Sequence, residues 1–64
     1  MARNERLRAA RLQRGLSQEK LARRTACRRY KIYKLEVGLA EVEVKLRRRI
    51  AKVLRKPAWL LFEG

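Results

Sequence analysis

The chain has 64 residues, with 19 Lys and Arg against six acids, all Glu, and no His, for a formal net charge of +13. That length supports one small domain, residues 1–64, with a thin core, and that charge repels itself while drawing polyanions. With no His, no Asp and one Cys, the chain lacks the usual general bases and activated nucleophiles, so the reading is not an enzyme.

A phosphate backbone is the commonest partner of so basic a chain, because binding it releases counterions. An acidic membrane surface is the second candidate. Cys27 has no second Cys to pair with and no His beside it for a metal cluster, so neither a disulfide, a metal nor a cofactor is expected. A lone thiol fits the reducing cytoplasm. No apolar run approaches the roughly 18 residues a membrane span needs, and Met1 to Glu5 lacks the apolar stretch of a signal peptide. The glycines, Gly15, Gly38 and Gly64, do not form a phosphate-binding loop.

Asn4 is a suitable cap for a first helix, which carries Leu7, Ala10 and Leu12, with Leu7 and Ala10 on one face. Gly15 tolerates the positive φ that ends a helix. Ser17 is a preferred N-cap, and Glu19 suits the first turn of a second helix. Leu21 and Ala22 face inward there, and the helix ends near Thr25. A third helix is predicted over about residues 28–36. Ile32 and Leu35 form its buried edge, and Tyr30, Lys31, Tyr33 and Lys34 fall on the other side. Gly38 ends it.

A loop over Leu39 to Val42 leads into a fourth helix. Its Leu46, Ile50, Val53 and Leu54 form an i, i+4, i+7, i+8 stripe, and Arg47, Arg48 and Arg49 lie mostly off it. Pro57 breaks this helix and suits the first turn of another. Trp59, Leu60, Leu61 and Phe62 make a final apolar turn. Period-two alternation is confined to Val42-Glu43-Val44, too short for a strand. The class is all-α, with five short helices.

The ordered set Arg11, Gly15, Leu16, Ser17, Gln18, Leu21 and Ala22, followed by Ile32, Leu35, Glu36 and Gly38, resembles the Cro/C1-type, Xre-like helix-turn-helix family of phage and bacterial repressors. "RIAKVL" over residues 49–54 and "LLF" over residues 60–62 extend the resemblance over nearly the whole chain. It implies a lambda-repressor-like domain whose second and third helices form the helix-turn-helix, with the third in the major groove. That groove is about 12 Å wide, roughly one helix with its side chains.

The resemblance also assigns roles. Gln18 touches a phosphate and braces the reading residues. Arg29 is the first choice for base reading, since Arg bonds guanine O6 and N7 together. Tyr30 meets a base edge, a thymine methyl or a phosphate. Arg28, at the helix N-cap, suits phosphate, and Lys34 faces the same groove wall as Tyr30. Lys31 and Tyr33 flank the set. Arg11 and Glu36 pair, joining the first helix to the third. Cys27 stands where an aliphatic residue is usual and is read as a small core side chain.

Some positions depart from the family pattern. Ala26 stands where Gly is usual, and at positive φ would cost up to about 1 kcal/mol. Arg28 replaces a Ser or Thr cap, a loss on the order of 1 kcal/mol. The loop has Glu41 and Glu43 where basic or polar residues are common, so it turns away from DNA or packs on a partner. Arg47 stands in an apolar slot that Leu46 takes over.

The reading is therefore a transcriptional regulator, most simply a repressor, that binds double-stranded DNA in the bacterial or phage-infected cytoplasm. The family commonly binds palindromic operators as a homodimer. The seam falls within Trp59, Leu60, Leu61 and Phe62, some of which must seal the core while the rest meet a second copy, the competing reading being that all four are core; charge repulsion favours a dimer formed on DNA. The alternative is an antitoxin-type module whose DNA binding is coupled to a protein partner through the loop at Leu39 to Glu43. A membrane-active peptide is disfavoured by the turn signals between short helices, and RNA binding by the lack of an aromatic platform on a sheet.

Overall fold

A computed structural model describes residues 3–62. They form five helices: α1 (Glu5–Gln13), α2 (Gln18–Arg24), α3 (Arg29–Val37), α4 (Val44–Leu54) and α5 (Ala58–Phe62). No strand occurs among the described residues.

The helix ends are where the turn chemistry predicts them. Asn4 Oδ1 accepts the Leu7 amide at 3.0 Å and caps α1. Ser17 Oγ accepts the Lys20 amide at 3.1 Å and caps α2. These bonds satisfy donors that helix geometry leaves without partners. Gly15 and Gly38 both adopt positive φ, +68° and +81°, and Gly38 ends α3 in the left-handed conformation.

Each helix contributes a fully buried side chain to one core: Leu7, Leu21, Ile32, Ile50 with Leu54, and Leu61. Ala10, Leu16, Ala22, Leu35 and Leu46 complete it, and Cys27 packs against it partly buried. Leu46 does take the packing slot beside Arg47. The guanidinium carbon of Arg47 lies 5.8 Å from the centroid of the Phe62 ring.

Some apolar expectations change once the helices pack. Leu12 is 51% exposed. The inward face of α1 is Leu7, Ala10 and Arg11, an i, i+3, i+4 set, and Leu12 is turned about 100° from Arg11. Val53 flanks the α4 stripe partly buried. Leu61, expected at a dimer seam, is 2% exposed and belongs to the core of the single chain.

Asn4 does more than cap. Its Nδ2 donates to the Leu61 carbonyl at 2.7 Å, and its backbone N–H donates to the Glu36 carbonyl at 2.7 Å. One residue thus ties the start of α1 to α5 and to the end of α3.

Ala26, in the turn between α2 and α3, has φ +56°. An L-residue in that conformation is strained, and Ala26 is exposed, so a smaller residue opens no core cavity. Ala26→Gly is expected to stabilise the fold by up to about 1 kcal/mol, read as a higher urea midpoint at unchanged m-value. A lower midpoint would show that the strain is already relieved by the surrounding turn.

Candidate nucleic-acid interface

The helix-turn-helix is held from three sides. Thr25 is fully buried at the end of α2, and its Oγ1 donates to the Leu21 carbonyl at 2.8 Å. Arg49 Nε, reaching across from α4, donates to the Thr25 carbonyl at 2.9 Å. The Cys27 amide bonds the Ala22 carbonyl at 3.0 Å, closing the turn. Arg28 then stands extended at φ −86° and ψ +149°, as N-cap of α3, and makes no side-chain cap bond. The missing cap follows from chemistry, since Arg has donors and no acceptor.

Beneath α3 lies a polar cluster in an otherwise apolar interior. Arg11 Nε donates to Glu36 Oε2 at 2.5 Å, and Arg11 Nη2 donates to Oε1 at 3.0 Å. Arg11 Nη1 also reaches the Leu16 carbonyl at 2.8 Å. The side chains are 8% and 4% exposed. Two parallel N–H···O bonds match the guanidinium fork to the carboxylate and set the angle between α1 and α3. Gln18 joins this network: its Nε2 donates to Glu36 Oε1 at 3.2 Å. The first residue of α2 is therefore bonded directly to α3.

On the outer face of α3, Arg28, Arg29, Tyr30 and Tyr33 are exposed. Tyr30 and Tyr33, 64% and 43% exposed, stack with ring centroids 6.1 Å apart and planes 16° apart. Lys34 Nζ lies 5.0 Å from the Tyr30 ring centroid, a cation–π contact. Gln18, Arg29, Tyr30 and Tyr33 line a shallow hollow of about 330 Å³ between the start of α2 and α3. The fold thus brings together residues separated by the turn.

Lys31 stands apart from this group. Its Nζ donates to the Glu41 carbonyl at 3.2 Å and pairs with Glu43 at 3.6 Å. The acidic loop folds back on α3, and Glu43 sits against a lysine of the chain itself. Lys31 is partly buried there and less open to an outside anion than Arg28 or Arg29.

Sequence reasoning did not find Arg49 or the Gln18–Glu36 bond. Arg49 is one of three consecutive arginines, and nothing in the run marks which one reaches the Thr25 carbonyl. The Gln18 bond depends on how α2 and α3 cross.

The described residues hold no group of three or more His, Cys, Asp or Glu that could bind a metal. Among them, no helix is long and apolar enough to cross a membrane.

A short helix, a tight turn and a second helix with an outward polar and aromatic face define a helix-turn-helix domain within a five-helix frame. No protein-family model and no curated protein matches the sequence. Among solved structures, the restriction-modification controller protein C.AhdI from Aeromonas hydrophila is similar, with a TM-score of 0.84 and 32% sequence identity. The match covers 92% of this chain and 89% of that one. The chain belongs to the Cro/C1-type helix-turn-helix family of DNA-binding transcription regulators.

Proposed function

We propose that this chain is a sequence-specific binder of double-stranded DNA that acts in transcriptional regulation, with α3 in the major groove. The observation that carries the reading is the outer face of α3. Arg29, Tyr30 and Tyr33 stand exposed on a helix whose inner face is fixed by Ile32, Leu35 and the Arg11–Glu36–Gln18 network. A rigidly held helix with free polar and aromatic side chains is what base reading requires.

Within this proposal, Arg29 reads a base edge, Tyr30 reads beside it, and Arg28 and Lys34 bond phosphates. Gln18 still has an acceptor oxygen and a helix N-terminus behind it for the backbone. Tyr33 flanks the set, and Lys31 is an outlying backbone contact. The similarity to a restriction-modification controller supports regulation, and occupancy of promoter DNA makes repression the simplest outcome. Such a regulator acts where DNA is, in the cytoplasm of a bacterium or a phage-infected host, and needs no cofactor.

The operator is a palindrome bound by a homodimer. Trp59 is 61% exposed, and Leu60 and Phe62 are partly buried, so these three residues form the seam while Leu61 serves the core. At +13 per chain, the free dimer is opposed by charge, and DNA assembles it.

Selection of sites from random duplex DNA tests the proposal. Enrichment of a palindrome with half-sites about one helical turn apart is the expected result; no enrichment overturns sequence-specific binding. On the selected site, Arg29→Ala is expected to cost roughly 1–3 kcal/mol and to relax preference at one base pair. An equal loss on every sequence would reassign Arg29 to phosphate.

A second reading has its own observation. Leu39 and Val44, 58% and 61% exposed, stand at the two ends of the acidic loop as apolar side chains that DNA does not need. A protein partner docked there would couple DNA binding to a second component, as in an antitoxin. Co-purification of a stoichiometric partner that is lost in a Leu39→Ser variant would favour it.

A further inference from the structure

A cavity of about 730 Å³ lies between the start of α1, the loop after α3, and α5. It is apart from the outer face of α3, since Arg29, Tyr30 and Tyr33 do not line it. We propose that this cavity binds a small monocarboxylate with an apolar body, and that Arg47 takes the carboxylate.

Arg47 projects from α4 into this region, partly buried. Its Nε is shielded from solvent and has no hydrogen-bond partner. The guanidinium carbon lies 5.8 Å from the centroid of the Phe62 ring, which offers a face but no acceptor. A buried N–H without an acceptor is costly, and native folds rarely leave one. Arg11 shows the contrast within the same chain: its three donor nitrogens bond Glu36 and the Leu16 carbonyl. Nothing in the fold does the same for Arg47, and a cavity opens beside it. A turn of the guanidinium off the ring presents its Nε edge to a carboxylate, the planar partner that such a fork matches.

The rest of the lining sets the class of ligand. Leu35, Leu61 and Phe62 give an apolar wall. A mostly apolar cavity of this volume with a few polar groups is what small-molecule sites have in common. Asn4 also lines it, with Oδ1 and Nδ2 both engaged within the fold. The remaining charges, Arg3, Arg6, Glu5 and Glu41, are exposed residues of the lining. With Arg47, three cations stand against two carboxylates, which leaves one positive charge for a ligand to meet. The glutamates repel a second negative charge, so a monocarboxylate is favoured over a phosphate dianion. Bound there, it braces the junction of α1, α3 and α5 that Asn4 already ties.

The test titrates the full chain with benzoate, and with benzamide as its uncharged counterpart, at constant ionic strength. The Nε–Hε NMR signals of the arginines and the side-chain signals of Leu61 and Phe62 are followed. Benzoate is expected to shift Arg47, Leu61 and Phe62 together and saturably, and to raise the urea midpoint by binding the folded state. Benzamide is expected to bind about tenfold more weakly, or worse. Arg47→Met keeps an unbranched stem beside Phe62 and removes the charge. It is expected to leave the urea midpoint without benzoate unchanged or higher, and to weaken benzoate about tenfold or more. Arg47→Gln gives the same loss of binding and serves if Arg47→Met does not fold. Equal, unsaturated shifts at exposed arginines such as Arg28 and Arg48 would show an anion condensed on the basic surface and overturn the site. Benzamide binding as tightly as benzoate, or inorganic phosphate binding more tightly at neutral pH, overturns the assignment of a monocarboxylate to Arg47. An Arg47 signal that does not move overturns it as well, because water or a carboxylate of the chain then meets Nε. The DNA is absent from every arm, so each outcome leaves the proposed function to its own selection experiment.

Discussion

Replacing Glu36 with alanine is expected to destabilise the domain by roughly 3–5 kcal/mol, the usual loss when one partner of a buried ion pair is removed. The site is buried, with side-chain exposures of 8% for Arg11 and 4% for Glu36, so solvent screens it little. The carboxylate accepts two bonds from Arg11 and one from Gln18, and all three lose their acceptor at once. A domain of 64 residues has a total stability on the order of 3–10 kcal/mol, so the loss removes a third or more of it. Urea unfolding followed by far-ultraviolet circular dichroism measures this. The double variant R11M/E36L removes both charges and recovers a large part of the loss, because neither group is then buried unpaired. Recovery is incomplete, since the Leu16 carbonyl and the Gln18 amide lose their partners. A loss below about 1 kcal/mol in Glu36→Ala would show that water enters the site and solvates Arg11.

Affinity for the selected duplex should fall steeply with salt. If a dimer neutralises about 6–10 phosphates, affinity drops about 10³- to 10⁵-fold between 50 and 200 mM monovalent salt. Filter binding or fluorescence anisotropy across that range gives the slope. The structure ranks the contributors. Arg28→Ala and Lys34→Ala each lower the slope by about one for every phosphate left without its cation. Lys31→Ala changes it least, because its ammonium is already engaged by Glu43 and the Glu41 carbonyl. A slope near zero would remove phosphate binding as the source of affinity, and a dominant Lys31 effect would mean that the loop opens on DNA.

The bond from Arg49 to the Thr25 carbonyl bears on both results. It fixes the C-terminal end of α2, and so the entry angle of the turn that places Arg28 and Arg29. Stability of the core and geometry of the reading face therefore share the same few polar links.

What the amino-acid order determines here is local or periodic. Asn4 and Ser17 cap their helices because each has an acceptor oxygen and a helical stretch directly after it. Gly15 and Gly38 end helices because the left-handed conformation costs them nothing. Leu46, Ile50 and Leu54 recur at the helical period and are buried. The absence of a side-chain cap at Arg28 was legible for the same reason, as was the strain at Ala26 once a positive φ was supposed. The outward group on α3 followed from Ile32 and Leu35 facing in.

The tertiary structure decided what depends on how helices cross. Arg11 rather than Leu12 fills the inward slot of α1, because Glu36 of α3 lies opposite it. Asn4 bonds a residue 57 positions away in sequence, a distance no local pattern spans. Gln18 is fastened to Glu36, and Lys31 to the acidic loop, because α2, α3 and the loop converge there. Leu61 went to the core with Phe62 packed partly buried against it, and Trp59 was left exposed, a division that a run of four apolar residues does not contain. Periodicity sets which side of a helix is buried; only the packed neighbours set which atoms each side chain meets.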